Sequence, residues 1–189
     1  MKTSTRALII ERADELFYQK GFDHTSFAHI AKDVNISRGN FYHHFKSKDE
    51  ILDAVIDFRL SKTQTMLDEW DQEGDTPEAR IRCFIHILIR NMSKIVMYGC
   101  PVGTLTSELA KLDHASLDKA GAVFSLFREW LARQFDALGF SDRSDALAMH
   151  VLARSQGIAT LASAFKDETF INEEVATLNL WLEQQLASR

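Results

Sequence analysis

The sequence predicts an all-α protein of 189 residues, with a small N-terminal domain of three helices followed by a larger helical domain. Apolar residues recur every three or four positions through most of the chain, which is the period of one face of an α-helix. The alternation of β-branched residues that is typical of strands is missing from the sequence. Only two prolines occur, Pro77 and Pro101, and both stand where a predicted helix begins.

Three helices are predicted at the N-terminus, over about 4–20, 27–34 and 38–44. Gly21 ends the first of them, and Asn35 lies in the turn between the second and the third, where a left-handed backbone is expected. Small polar residues that favour helix starts precede the second and third helices: Thr25 or Ser26, and Ser37. The second and third predicted helices therefore form a tight helix-turn-helix.

A fourth helix is predicted from a cap at Ser47 to about Trp70, and Asp49 and Glu50 in its first turn are favourable at a helix N-terminus. The polar stretch 71–75 is the clearest domain boundary. We therefore predict a helix-turn-helix domain over 1–47, a connecting helix over 48–70, and a ligand-binding and dimerisation domain over 77–189.

Five segments of the larger domain carry helical periodicity. The first is a strongly apolar helix over about 77–98, which we expect to be central. A shorter helix follows to about 112, and a longer one is closed by Gly139. The last two predicted helices cover about 142–166 and 168–187.

The last two helices carry apolar stripes that predict a homodimer with a four-helix interface. Small residues on neighbouring faces of the first of them would let it pack on two sides at once. The alternative, in which the same stripes close the core of one subunit, stays open. The predicted interface residues are Leu147, Val151, Arg154, Ile158, Leu161, Phe165, Ile171, Val175, Leu178 and Leu182.

Composition argues against membrane and metal-dependent classes. Apolar residues make up 46% of the chain, but no run approaches the roughly 18 residues that span a bilayer, and we expect a cytoplasmic protein that binds no membrane. Cys83 and Cys100 have neither zinc-site nor disulfide-framework spacing, so we expect reduced thiols, no metal and no cofactor.

Charge is distributed unevenly. The net charge is −5, yet residues 1–48 carry eight Lys or Arg against five Asp or Glu, which leaves fourteen against twenty-two for the rest. A basic N-terminal part on an acidic body is typical of a protein that contacts nucleic acid with that part alone.

The third helix has the chemistry of a DNA recognition helix. Arg38 can pair with guanine and Asn40 with adenine in the major groove, while Gly39 allows close approach of the backbone. Tyr42 and His43, one turn later, are placed for a phosphate or a thymine methyl group. The predicted DNA contacts are Thr25, Ser26, Ser37, Arg38, Gly39, Asn40, Tyr42, His43, Lys46 and Lys48.

Over roughly its first 60 residues the chain resembles the TetR family of transcriptional regulators. The matching positions are Leu16-Phe17, Lys20-Gly21-Phe22, Thr25-Ser26, Ile30-Ala31, Val34, Ser37-Arg38-Gly39, Phe41-Tyr42, His44-Phe45, Ser47-Lys48 and Ile51-Leu52. Asn35 replaces the usual turn glycine, and Asn40 replaces a commoner small or hydroxyl residue. The second departure alters the expected operator rather than the fold.

The resemblance implies a homodimer that binds double-stranded operator DNA, dimerises through its last two helices and takes a small-molecule effector. Effector binding would shift the fourth helix and move the two DNA-binding domains out of register with successive major grooves, about 34–36 Å apart. Repression is the usual mode of the family. Motifs of an enzyme site, such as a nucleophile elbow or a glycine-rich phosphate loop, are missing from the sequence, and we expect no enzyme.

The apolar central helices predict a hydrophobic or aromatic effector. The predicted pocket residues are Phe84, Leu88, Met92, Tyr98, Cys100, Phe124, Phe127, Trp130, Met149 and Gln156. An alternative is a regulator that senses electrophiles or oxidants through Cys100, since a thiolate just before a helix start is favoured by the helix dipole.

Overall fold

The computed structural model describes residues 4–188, which form ten α-helices and a 3₁₀ turn at Ser141–Arg143. The helices are α1 (Thr5–Lys20), α2 (Phe27–Val34), α3 (Arg38–His44), α4 (Lys48–Glu73), α5 (Pro77–Arg90), α6 (Met92–Tyr98), α7 (Pro101–Lys111), α8 (Leu117–Ala137), α9 (Ser144–Phe165) and α10 (Glu168–Ala187). Strands do not occur within this range, and the all-α prediction is confirmed. None of these helices is long and apolar enough to cross a membrane.

The helix-turn-helix follows from local caps. The Ser26 hydroxyl accepts the His29 N–H at the start of α2, and the His29 ring accepts the Ser26 N–H in return. Ser37 caps α3 by accepting the N–H of Asn40. Between them Asn35 adopts the predicted left-handed conformation, with φ 57° and ψ 46°.

The structure corrects two predicted boundaries. Helix α4 continues to Glu73, so most of the predicted loop over 71–75 is helical. The predicted helix over 77–98 is broken at Asn91, whose backbone leaves the helical region at φ −108° and ψ 15°. The Asn91 side-chain amide donates to the Ile87 carbonyl at 3.0 Å, because Asn competes with the backbone for helix carbonyls.

The chain divides into two compact units. Unit 1 comprises the chain up to Lys62 together with Val102–Val123, so helix α7 packs with the helix-turn-helix although it lies within the predicted 77–189 domain. Its buried core includes Ile9, Ala13, Phe17, Ile30, Phe41, Phe45, Ile51, Leu52, Val55, Ile56, Leu105 and Leu109.

Unit 2 comprises Thr63–Pro101 and the chain from Phe124 onward. Helices α5 and α6 pack against α9 and α10. Trp70 and Trp130 are fully buried with ring centroids 5.6 Å apart, and the Trp130 indole donates to Asp71 at 3.1 Å. A hydrogen bond for the indole N–H is what makes such a deep burial of tryptophan favourable.

Candidate nucleic-acid interface and effector groove

Helix α3 turns a polar face outward. Phe41 is 1% exposed and anchors the helix in the core of unit 1, whereas Arg38, Gly39, Asn40 and His43 are exposed. A seven-residue helix held by one buried aromatic thus presents a guanidinium, an amide and an imidazole at its surface. These are the groups that pair with base edges and phosphates in a major groove.

Aromatic packing sets the position of Tyr42. Its ring stacks on Phe27 of α2 at 5.5 Å, and Phe27 meets Phe41 edge-on at 5.1 Å. Phe27, Ala31, Arg38, Phe41 and Tyr42 line a hollow of about 140 Å³ between α2 and α3. Phe27 is partly exposed, and the sequence does not reveal this, because an apolar residue near a helix start carries no signal that separates a core position from a supporting one.

Besides the capping residues Ser26 and Ser37, three predicted DNA contacts are engaged within the protein. Thr25 is 1% exposed, and its hydroxyl donates to the Gly21 carbonyl at 2.7 Å, so this side chain holds the turn before α2 and does not reach a phosphate. The Lys46 ammonium donates to the Tyr42 carbonyl. The Lys48 ammonium donates to the carbonyls of Phe22 and Asp23 at 3.0 and 3.3 Å.

The predicted pocket residues are not all brought together. Phe84, Leu88, Phe127 and Trp130 are buried in the core of unit 2, where Phe84 and Phe127 meet edge-on at 5.3 Å. Met92, Tyr98 and Cys100 are partly buried elsewhere. The remaining three, Phe124, Met149 and Gln156, do line a common groove.

This groove lies between α8 and α9 and has a volume of about 290 Å³. Its lining is mostly apolar and consists of Phe124, Ser125, Arg128, Met149, Leu152, Ala153 and Gln156. At its rim the Arg128 guanidinium makes two hydrogen bonds of 2.7 Å to the Asp145 carboxylate. This hydrogen-bonded pairing lowers the pKa of Asp145 and raises the pKa of Arg128.

Most of the predicted dimer residues are interior to one chain, which corrects the predicted interface. The physical reason is that this stripe of α9 and α10 packs on the chain's own α5 and α6. Arg154 forms an ion pair with Glu174, and only Leu161 and Phe165 of the predicted set are strongly exposed, at 45% and 75%. The buried members are Leu147, Val151, Ile158, Ile171, Val175, Leu178 and Leu182.

A different apolar ridge of α9 faces outward. Its members follow one another every four residues, and all are exposed: Met149, Ala153, Gly157, Leu161 and Phe165. On α10 the exposed residues include Ala176 and Leu180. We call these five residues the outer ridge of α9. The ridge is exposed, it is distinct from the buried stripe of the same helix, and none of its members is charged.

Comparison with known proteins agrees with the geometry of unit 1. Residues 9–55 match the family model described as "Bacterial regulatory proteins, tetR family", and this segment contains all of α2 and α3. An uncharacterised HTH-type transcriptional regulator in the lacX 3′ region of Lactococcus lactis subsp. lactis is 30% identical over 168 residues, which cover 87% of this chain and 86% of the relative. The chain belongs to the TetR family of transcriptional regulators.

Other TetR-family proteins extend the likeness. The HTH-type transcriptional regulator TtgR of Pseudomonas putida is 30% identical over 106 residues, covering 51% of this chain and 50% of TtgR. A TetR transcriptional regulator from Legionella pneumophila superposes with a TM-score of 0.84 and 25% identity, over 97% of this chain and 98% of that one. TetR-family regulators bind operator DNA and small-molecule effectors, act as dimers, are usually repressors and are not enzymes.

Proposed function

We propose that this protein is a homodimeric repressor that reads operator DNA with α3 and leaves it when an apolar effector binds in unit 2. The observation that carries the proposal is the exposed polar face of α3 within the family-matched segment. Arg38 reads a guanine, Asn40 reads an adenine, and Gly39 allows the backbone to approach the base edges.

Around this helix the supporting contacts have separate roles. Tyr42, stacked on Phe27, and His43 contact phosphate or a thymine methyl group. Ser26 and Ser37 cap the two helices whose N-termini face the DNA backbone, where an anion is favourable. Lys46 adds a cation at the end of α3, and this cation contributes to affinity without reading sequence.

The outer ridge of α9 is the proposed subunit interface. A ridge with a spacing of four residues packs well against its own copy, because ridges of this spacing interdigitate at crossing angles near −50°. A two-fold axis at Gly157 would place Ala153 of one copy against Leu161 of the other, and Met149 against Phe165. A Cβ atom at Gly157 would meet no atom of its own chain within 4 Å, so glycine there leaves room for a partner helix.

The groove between α8 and α9 supports an apolar or aromatic effector. Its volume of about 290 Å³ lies at the lower end for small-molecule sites, and Ser125, Arg128 and Gln156 supply polar anchors. Met149 and Ala153 belong both to the groove and to the outer ridge. An effector in the groove would therefore act directly on the packing of the two subunits.

The function is tested by selecting bound duplexes from a random DNA pool at near-physiological salt. We expect enrichment of a two-fold symmetric site whose affinity falls steeply with rising salt. Enrichment without a preferred sequence would instead indicate nonspecific DNA binding, and no enrichment would contradict the proposal.

The effector is tested by screening small apolar and aromatic compounds for release of the selected duplex. Ser125→Phe fills the groove from α8, outside the outer ridge of α9, and should abolish the response, whereas Ser107→Phe, the same change at an exposed position on α7, should keep it. If a thiol reagent releases DNA from the wild type and not from Cys100→Ser, the protein senses thiol-reactive compounds through Cys100, and the proposal of an effector in the groove is wrong.

A further inference from the structure

The turn between α1 and α2 is bound by charged side chains from two other helices of unit 1. The Glu108 carboxylate on α7 accepts the N–H groups of Phe22 and Asp23 at 2.8 and 2.9 Å. The Lys48 ammonium on α4 donates to the carbonyls of the same two residues. Two successive peptide units are therefore held by an anion on one side and a cation on the other.

Gly21 makes room for the carboxylate. Its φ of +87° is a conformation that residues with a side chain rarely adopt. A Cβ atom at this position would lie 2.9 Å from Oε1 of Glu108, closer than such atoms pack. The glycine that ends α1 thus also allows Glu108 to reach the two N–H groups.

The Phe22 side chain strengthens the same junction. It is 3% exposed, and the ring of His114, which follows α7, meets it edge-on at 5.2 Å. The Lys48 ammonium lies over the Phe22 ring, 4.2 Å from the ring centroid. Backbone and side chain of the turn are therefore both fixed by residues outside the helix-turn-helix.

The turn determines where the reading helices begin. Asp23 lies three residues before Ser26, the cap of α2, and α2 packs on α3 through Phe27 and Phe41. Displacement of the turn would therefore displace Arg38 and Asn40 relative to the rest of unit 1. Hydrogen bonds to a charged acceptor are stronger than neutral ones, so Glu108 holds this position firmly.

We propose that Glu108 is a positioning residue for operator binding, and that it couples α7 to the DNA-reading helices through the α1–α2 turn. The role in operator binding rests on the proposed function. By reciprocity, a change in α7 that favours DNA binding must itself be favoured when DNA binds. Helix α7 begins at Pro101, where the chain returns to unit 1, so Glu108 joins the first helix formed after that return to the α1–α2 turn.

Glu108→Gln is the sharpest variant because it keeps the shape of the side chain. The amide offers one acceptor oxygen, and its NH₂ group would face the second backbone N–H without bonding it. Glu11→Gln is the matched control, since it removes the same charge from an exposed position on α1. Any gain in DNA affinity from lost negative charge is then shared by the two variants.

The experiment measures amide hydrogen exchange of the full chain, with and without the operator duplex obtained by selection, and operator affinity at constant salt. Without DNA, the Phe22 and Asp23 amides should exchange about ten-fold faster in Glu108→Gln than in Glu11→Gln. In the wild type, DNA should slow exchange in α7 as well as in α2 and α3. In Glu108→Gln, DNA should protect α2 and α3 only, and affinity should fall about ten-fold relative to the control.

Unchanged exchange at Phe22 and Asp23, or DNA-induced protection of α7 that persists in Glu108→Gln, would overturn the proposal while leaving DNA binding intact. If no duplex is enriched in the selection, the proposed function fails first and the coupling fails with it. Should Glu108→Gln not fold, Glu108→Asp, which keeps the charge but shortens the side chain, replaces it with the same expected pattern.

Discussion

The exposed faces of α3 and α9 have opposite chemistry. On α3 the outward residues Arg38, Asn40 and His43 carry hydrogen-bonding groups that the chain itself leaves at the surface. On α9 the outward ridge from Met149 to Phe165 has no charged member over four turns. The polar face suits the edges of DNA bases and the apolar face suits a second apolar surface, so the roles proposed for them, DNA reading and subunit assembly, have separate chemical bases.

The largest effect is expected when a charge is placed on the outer ridge of α9. Leu161→Asp puts two carboxylates near the proposed two-fold axis, and the subunit association constant should fall by about 1,000-fold, or about 4 kcal/mol. Operator affinity should fall with it, because one subunit holds only one half-site. Sedimentation velocity and fluorescence anisotropy of labelled operator measure the two effects.

Met97→Asp is the matched control for Leu161→Asp. Met97 is 60% exposed on α6, outside the ridge, so the same charge should leave association and operator binding unchanged. A Leu161→Asp protein that sediments as a dimer would show that subunits meet through another surface.

A buried residue of α10, which packs on α9, should affect stability and leave association of the subunits intact. Leu178 is 1% exposed, and Leu178→Ala should lower the free energy of unfolding by about 2–4 kcal/mol while the association constant stays near that of the wild type. Leu161→Ala removes the same atoms from the outer ridge of α9, where the side chain is 45% exposed, and should weaken association with little loss of unfolding free energy. Denaturant unfolding at several protein concentrations separates the two.

The sequence predicted α3 well because its determinants are local. Ser26, Ser37 and Asn35 act on backbone groups within three or four residues, so the caps and the left-handed turn were found without knowledge of the fold. The sequence does not predict the break at Asn91, because the apolar spacing continues across it from Leu88 to Met92 and Ile95.

The sequence does not reveal which apolar face of α9 lies outward, and the reason is physical. Both the stripe through Val151 and Ile158 and the ridge through Ala153 and Leu161 are apolar, and which of them faces inward depends on where α5 and α6 pack. The contact between Glu108 and Phe22 joins residues 86 positions apart, and no periodicity links them. Local rules therefore predicted the two helices of the helix-turn-helix, whereas the outer ridge of α9 and the junction with α7 required the fold.

Arg38→Ala tests the base reading proposed for the polar face of α3. If Arg38 pairs with a guanine, its loss should remove about 1–3 kcal/mol of discrimination at one base position in each half-site, without changing preference elsewhere. Lys46→Ala, at the end of the same helix, should weaken all sequences alike and reduce the salt dependence. Binding to a set of single-base operator variants measures both, and unchanged base preference in Arg38→Ala would contradict direct readout.

The smallest expected effect concerns the one histidine on the outward side of α9, His150. Its ring stacks on Trp181 of α10 with centroids 4.4 Å apart, and burial, together with the charge of Arg154, lowers the pKa of His150. Because the folded protein then binds this proton less readily than the unfolded chain, the contribution to stability is present above the ordinary imidazole pKa of about 6.5 and is lost as the pH falls through the lower folded value. Unfolding free energy measured between pH 7.5 and pH 5 should therefore decline more steeply in the wild type than in His150→Gln. Parallel slopes in the two proteins would contradict this prediction, because they would show that protonation of His150 does not change the free energy of unfolding.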